Sequence, residues 1–173
     1  MIILLLFGYG QLSAQTNTNS TNTFVSKQIG IEFNYPKSWS KGTPEISTIY
    51  WVGIPNFKSS GNVVLKVNPW IDKPNFALTS REIYKSEILS TSIWYEDLQF
   101  IEFNKDIKVG GVNGIYSYYK GIGVVKGKIY YEILFQWWNK NLLYTLQGQF
   151  SEPALTKTQI DQFKALVNSI KLR

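Results

Sequence analysis

Residues 30–39 read Gly30-Ile31-Glu32-Phe33-Asn34-Tyr35-Pro36-Lys37-Ser38-Trp39, and their pattern decides the fold class. Ile29, Ile31, Phe33 and Tyr35 alternate with Gly30, Glu32 and Asn34, the period of two that marks a half-buried strand. Phe24 begins a shorter strand before the break at Gly30. Pro36 stops the second strand because it cannot donate to a ladder. Trp39 follows three residues later and is expected to fold back as a plug on the sheet edge.

Working outward, the same alternation returns at Ser47–Ile54, Asn62–Trp70, Leu98–Phe103, Val112–Lys120, Lys128–Trp138 and Leu142–Phe150. Val63, Leu65 and Val67 oppose Val64, Lys66 and Asn68, so one face of that strand is the more apolar. Gly121-Ile122-Gly123 and Lys126-Gly127 join two long strands as a hairpin. In its second arm Ile129, Tyr131, Ile133, Phe135 and Trp137 share a face. Tyr130, Glu132, Leu134, Gln136 and Trp138 share the other, which is mixed. Two helices interrupt the strands. Thr79 and Glu82 fit a capping box for a helix over 79–92 with Ile83, Tyr84 and Ile88 as its apolar side. Thr156 and Gln159 fit another. There Ile160, Phe163, Leu166, Val167 and Ile170 recur at helical spacing, while Asp161, Gln162, Lys164, Ala165, Asn168 and Lys171 form the opposite face. Many antiparallel strands with two separate helices give an α+β sandwich without internal repeat.

The composition excludes several chemistries. The chain has 173 residues and neither His nor Cys. Disulfides, Cys or His zinc sites, thiol nucleophiles and imidazole acid–base catalysis are therefore ruled out. The net charge is +6, carried by 16 Lys and only two Arg, Arg81 and Arg173. Arg dominates bidentate contacts to phosphates and bases, so scattered Lys points to a solvated surface rather than a nucleic-acid reader. The densest group is Lys120, Lys126 and Lys128, which reads as surface or as a docking patch for an anionic partner.

The N-terminus reads as an address. Ile2-Ile-Leu-Leu-Leu-Phe7 is a short apolar run, followed by Leu12-Ser13-Ala14-Gln15. This is the arrangement of a cleaved secretory signal over residues 1–14, too short to span a bilayer. No Lys or Arg precedes the run, so its leading charge comes from the Met1 amino group or from residues upstream. Residues 15–23 form a polar Asn/Thr lead-in, within which Asn19-Ser20-Thr21 matches a glycosylation sequon at near-chance level. The folded domain is expected over residues 24–173.

At Gly30–Trp39 the sequence resembles the opening of PsbP-like domains, a glycine followed by alternating apolar residues, then Pro-x-x-Trp. The aromatic hairpin between Tyr116 and Trp138 and the closing helix around Phe163-Lys164-Ala165-Leu166-Val167 continue the likeness. The resemblance implies an antiparallel sheet of about six strands between helices. It also implies a binding or assembly role rather than catalysis. One lineage stabilises a manganese–calcium cluster complex, another binds a nuclear-transport GTPase, and others are exported accessory proteins. Metal contacts proposed for photosynthetic members involve His, which this chain lacks, so that role does not transfer.

No constellation of residues identifies an enzyme. Glu96, Asp97, Glu102 and Asp106 are the densest carboxylates, but they read as a strand end and loop, and they lack the spacing of a calcium loop. Gly110-Gly111-Val112-Asn113-Gly114 precedes a strand rather than a helix, so it reads as a turn and not a phosphate loop. Ser38-Trp39-Ser40-Lys41 and Ser80 near Lys85 are the nearest approaches to a Ser–Lys dyad. The aromatic surplus is more informative. Trp137 and Trp138 must point to opposite sheet faces. Either both faces are covered, or one ring is exposed and joins Trp70, Tyr116, Tyr118 and Tyr130 in a binding surface. The expected function is that of an exported, non-catalytic protein, periplasmic or secreted, without cofactor or metal. Its expected partner is a protein of the cell envelope. The alternative is a sugar or apolar small molecule held by the aromatic surface. Neither nucleic-acid binding nor a membrane-integral chain is expected, and the oligomeric state is open. Mass spectrometry of the exported protein should find Gln15 at the N-terminus; an intact Met1 would contradict the signal.

Overall fold

The structure, a computed structural model, describes residues 20–41, 49–53, 62–69, 80–92, 95–125, 127–151 and 153–173. The signal segment, most of the lead-in, the sequon's Asn19, Trp70, Thr79 and Lys126 lie outside the described residues.

The opening motif folds as the alternation requires. Strand β1, Thr21–Ser26, pairs antiparallel with β2, Ile31–Pro36, across a turn in which Gly30 takes φ 62°. A Cβ at Gly30 would lie 2.8 Å from the Arg173 carbonyl oxygen, so glycine also permits the C-terminus to approach. Thr21, Asn22 and Thr23 are strand rather than lead-in, because the ladder runs from Ser26↔Ile31 out to Thr21↔Pro36. The chain turns after Pro36, whose carbonyl accepts the Trp39 amide at 2.9 Å. Trp39 does fold back, but into the core against Phe163, with ring centroids 5.1 Å apart, rather than onto a sheet edge.

Next come β3, Ser40–Lys41, β4, Ile49–Gly53, and β5, Asn62–Pro69. Helix α1, Arg81–Thr91, is shorter than the 79–92 expected. Its cap is Ser80, whose side chain accepts the Ile83 amide at 3.2 Å, instead of Thr79. Serine and threonine cap comparably, and the shift by one leaves Glu82 in the first turn, where the helix dipole favours it. The remaining elements are β6, Tyr95–Val109, β7, Val112–Gly123, β8, Ile129–Asn139, β9, Leu142–Ser151, α2, Lys157–Asn168, and β10, Lys171–Leu172. The Thr156–Gln159 capping box of α2 is formed on both sides. Gly110 and Gly111 form the turn between β6 and β7, with φ 56° and 90°.

The α+β class holds, but the expected single sheet of about six strands does not. Among the described residues, seven strands form one sheet in the order β3-β4-β5-β9-β8-β7-β6, and β1-β2-β10 form a second. The two-residue β10 adds a third strand to the β1–β2 pair, with Lys171 opposite Glu32 and Leu172 opposite Ile31. Ion pairs from Lys171 and Arg173 to Glu32 fasten the same place, and hold the Glu32 carboxyl below its ordinary pKa, Lys171 contributing most.

Both faces of the long sheet are covered. On one, Tyr116, Tyr118, Ile133, Phe135, Trp137, Leu146 and Phe150 pack against α2 and the small sheet. Gly148 leaves room for the Phe163 ring, whose Cζ would lie 2.5 Å from a Cβ there. On the other, Ile115, Tyr119 and Leu134 pack with Tyr95, Leu98 and Tyr84 of α1. Among the described residues no helix is long and apolar enough to cross a membrane.

The α1-covered face encloses a titratable group. Glu132 is 3% exposed. Tyr95 donates to one carboxylate oxygen at 2.7 Å and Tyr119 to the other. Gln149 in turn donates to the Tyr95 hydroxyl at 2.6 Å. Burial raises the Glu132 pKa above its ordinary value, against the opposing pull of Tyr119, Tyr95, Gln147 and Lys66. A carboxyl with a raised folded pKa binds more protons when folded, so its contribution to stability declines as pH rises from about 4.5 through the folded value. Glu132→Gln removes that slope. Thermal melts across pH should show the variant gaining on the wild type as pH rises through this window; a pH-independent difference would contradict the assignment.

Candidate functional site

Three register shifts interrupt β6 against β7, between Tyr95 and Asp97, Phe100 and Glu102, and Asn104 and Ile107. Each bulge bends the strand and re-aims its side chains. Asn104 fastens the last of them, its side-chain oxygen accepting the Asp106 amide at 2.9 Å. Where this irregular edge meets α2, a partly open cavity of about 630 Å³ forms. Strand β6 supplies Glu102, Phe103, Asn104, Ile107 and Lys108 to its wall. Tyr116 and Phe135 line the sheet side, and Lys164, Val167 and Asn168 come from α2.

Tyr116 is 4% exposed and stacks on Phe135 at 4.7 Å between centroids. The Lys164 ammonium sits 4.9 Å over the Tyr116 ring and 2.9 Å from the Glu102 carboxylate. This combines an ion pair with a cation–π contact. The Tyr116 hydroxyl is fully buried and interacts with the Glu102 carboxylate. Burial, and then the neighbouring Glu102 carboxylate, raise its pKa above the ordinary phenol value. Glu102 shifts the other way, held below the usual carboxylate range chiefly by the hydrogen bond from Lys164. Lys108 donates a hydrogen bond to Asn113 at the rim.

The carboxylate group of the sequence is dispersed along β6. Glu96 and Asp106 are exposed. Asp97 pairs with Lys85 of α1 at 2.6 Å, while Glu102 alone lines the cavity. The expected aromatic surface is divided as well. Tyr116 and Tyr118 are buried on the α2 side, where the Tyr118 hydroxyl accepts the Leu155 amide at 3.0 Å. Tyr130 is half-buried on the opposite side against Tyr95, and Trp138 is half-buried. Their alternation along the strands places them on different faces, so they form no common platform. In the basic patch Lys128 is exposed and Lys120 half-buried.

Ser80 and Lys85 form no dyad, since Ser80 caps α1 and Lys85 pairs with Asp97. Among the described residues no group of three or more Asp or Glu converges on a metal-sized site. The sequence reading missed Lys164 and Asn168 as site residues, because helical periodicity assigned both to the face away from the core. The cue it offered was the polar run's position directly beside Phe163 and Val167.

No family model matches the sequence, and no curated protein matches it. Solved structures do match. Cyanobacterial PsbP from Synechocystis superposes with TM-score 0.59 and 13% identity, over 95% of this chain and 99% of that one. The Ran-binding protein Mog1p of Saccharomyces cerevisiae gives TM-score 0.60 and 8% identity, over 88% and 95%. A protein from Bacteroides thetaiotaomicron gives TM-score 0.52 and 12% identity over 87% of this chain, which spans about half, 48%, of that protein. At these identities the likeness is one of architecture, and the chain has a PsbP-like fold.

Proposed function

We propose that this chain is an exported, non-catalytic binding protein whose recognition site is the cavity between β6 and α2. The observation that carries the reading is the cavity itself, where the apolar Phe135 and Val167 stand beside the polar Glu102, Lys164 and Asn168. Glu102 is held ionised by Lys164, and the Tyr116 phenol is held protonated by burial. General acid–base catalysis calls for a group poised near the working pH. Here both groups are pushed away from neutrality. The volume of about 630 Å³ falls in the range of small-molecule sites, roughly 300–1,000 Å³.

A protein partner in the envelope is the second reading. It is favoured by Ile83 of α1 and Ile101 of β6, large apolar side chains 50% and 51% exposed. The description of Mog1p as Ran-binding lends it support from the same architecture. The export signal over residues 1–14 remains part of the proposal under both readings.

One experiment separates the two. A library of small polar and apolar fragments is added to isotopically labelled protein, and backbone and side-chain shifts are mapped by two-dimensional NMR. The ligand reading expects saturable shifts centred on Tyr116, Phe135, Lys164 and Asn168, lost when Asn168→Phe plugs the mouth. A map centred on Ile83 and Ile101 would overturn it in favour of the protein-partner reading.

A further inference from the structure

Among the described residues six large apolar side chains are exposed, and three of them crowd one hairpin tip. Ile122, Val124 and Val125 are 37%, 47% and 52% exposed. They stand where β7 gives way to β8, at and beyond the last rung of the ladder, Ile122↔Ile129. Backbone hydrogen bonds hold the tip in shape. The Gly123 amide donates to the Lys128 carbonyl at 3.0 Å, and the Lys128 amide to the Val125 carbonyl at 3.1 Å. Gly127 closes the turn with φ 79°, a conformation that glycine adopts without strain. The flanking charge is basic. Lys128 is exposed, and the half-buried Lys120 shares a strand face with Ile122. Lys126 adds a third lysine to the same stretch of sequence, and residues 120–128 hold no Asp or Glu. Across from Ile122, Asp97 is already paired with Lys85 at 2.6 Å, so exposed Glu96 is left to offset one lysine.

An apolar tip flanked by lysines suits a lipid surface. Isoleucine and valine gain by leaving water for the acyl boundary, while lysine stems reach back to anionic headgroups. A protein partner fits the tip less well. Stable protein interfaces bury about 800 Å² per side and draw on aromatic and Arg anchors. This tip offers three aliphatic side chains and no Arg. A bilayer demands no such matched area. We propose that the β7–β8 tip docks the protein on an anionic lipid surface, with Ile122, Val124 and Val125 entering the headgroup region and Lys120 and Lys128 facing its phosphates. The overall charge of +6 draws the chain toward the same surface. The tip shares no residue with the cavity between β6 and α2, and its docking stands whether or not the cavity takes a ligand.

The test is co-sedimentation of the full chain with vesicles of phosphatidylcholine alone and of equimolar phosphatidylcholine and phosphatidylglycerol. It is paired with NMR in bicelles of the same lipids carrying a spin-labelled lipid. The chain should bind the anionic vesicles, less tightly as salt is raised, and the amides of Ile122–Val125 should broaden first. Val124→Ser with Val125→Ser should weaken binding at least roughly ten-fold, and Lys128→Gln roughly five-fold, with melting temperatures unchanged. Ile83→Ser and Ile101→Ser, exposed elsewhere, should leave binding as it is. No binding to the anionic vesicles, or equal binding to phosphatidylcholine alone, would overturn the proposal. So would broadening centred elsewhere, the apolar run at residues 2–7 included. A tip that captures an acidic protein while the chain ignores both vesicles would overturn it in favour of a protein interface.

Discussion

The structure depends on a long antiparallel sheet that is buried on both faces. Strands β7, β8 and β9 cannot follow the usual rule of apolar inside and polar outside, since neither side of their central stretch meets water. One face is covered by α2 and the small sheet, the other by α1. Adjacent aromatic positions therefore coexist without an exposed platform, as with Tyr118 on one side and Tyr119 on the other. The same constraint forces Glu132, a titratable residue on β8, to be fully partnered. Each of its oxygens accepts from one phenol, and the buried group would be penalised if it lost them.

What was legible in the sequence is what local chemistry dictates. The alternation from Ile29 to Tyr35, the Thr156–Gln159 box and the Gly110-Gly111 turn all formed as read, because each depends on residues within a few positions of one another. The second sheet was not legible. Lys171 and Leu172 are too few to show a strand period, and Glu32, the partner of Lys171, lies 139 residues away. Capping chemistry could not choose between Thr79 and Ser80, which offer equivalent oxygens one position apart. Parity put Ile133, Phe135 and Trp137 on one face and Leu134 on the other, as they stand; what covers each face is a tertiary fact that parity does not contain.

The site was half legible for the same reason. Glu102 and Tyr116 were each singled out, in separate groups with separate expectations. They meet only because β6 bulges beside Glu102 and Asn104, and bulges depend on how one strand slips against another. Lys164 completes the site from a helix face that periodicity assigns to solvent. Its long side chain reaches back over Tyr116 and keeps its charged head on Glu102.

Glu102 and Tyr116 of this cavity are both shifted away from neutrality, which suits recognition rather than proton transfer. The most direct measurement is a pH titration of the Glu102 carboxyl carbon by NMR in the full chain. A single transition below the ordinary carboxylate range is expected, and it moves upward in Lys164→Gln. A transition near neutral pH would contradict it and make Glu102 a candidate catalytic base.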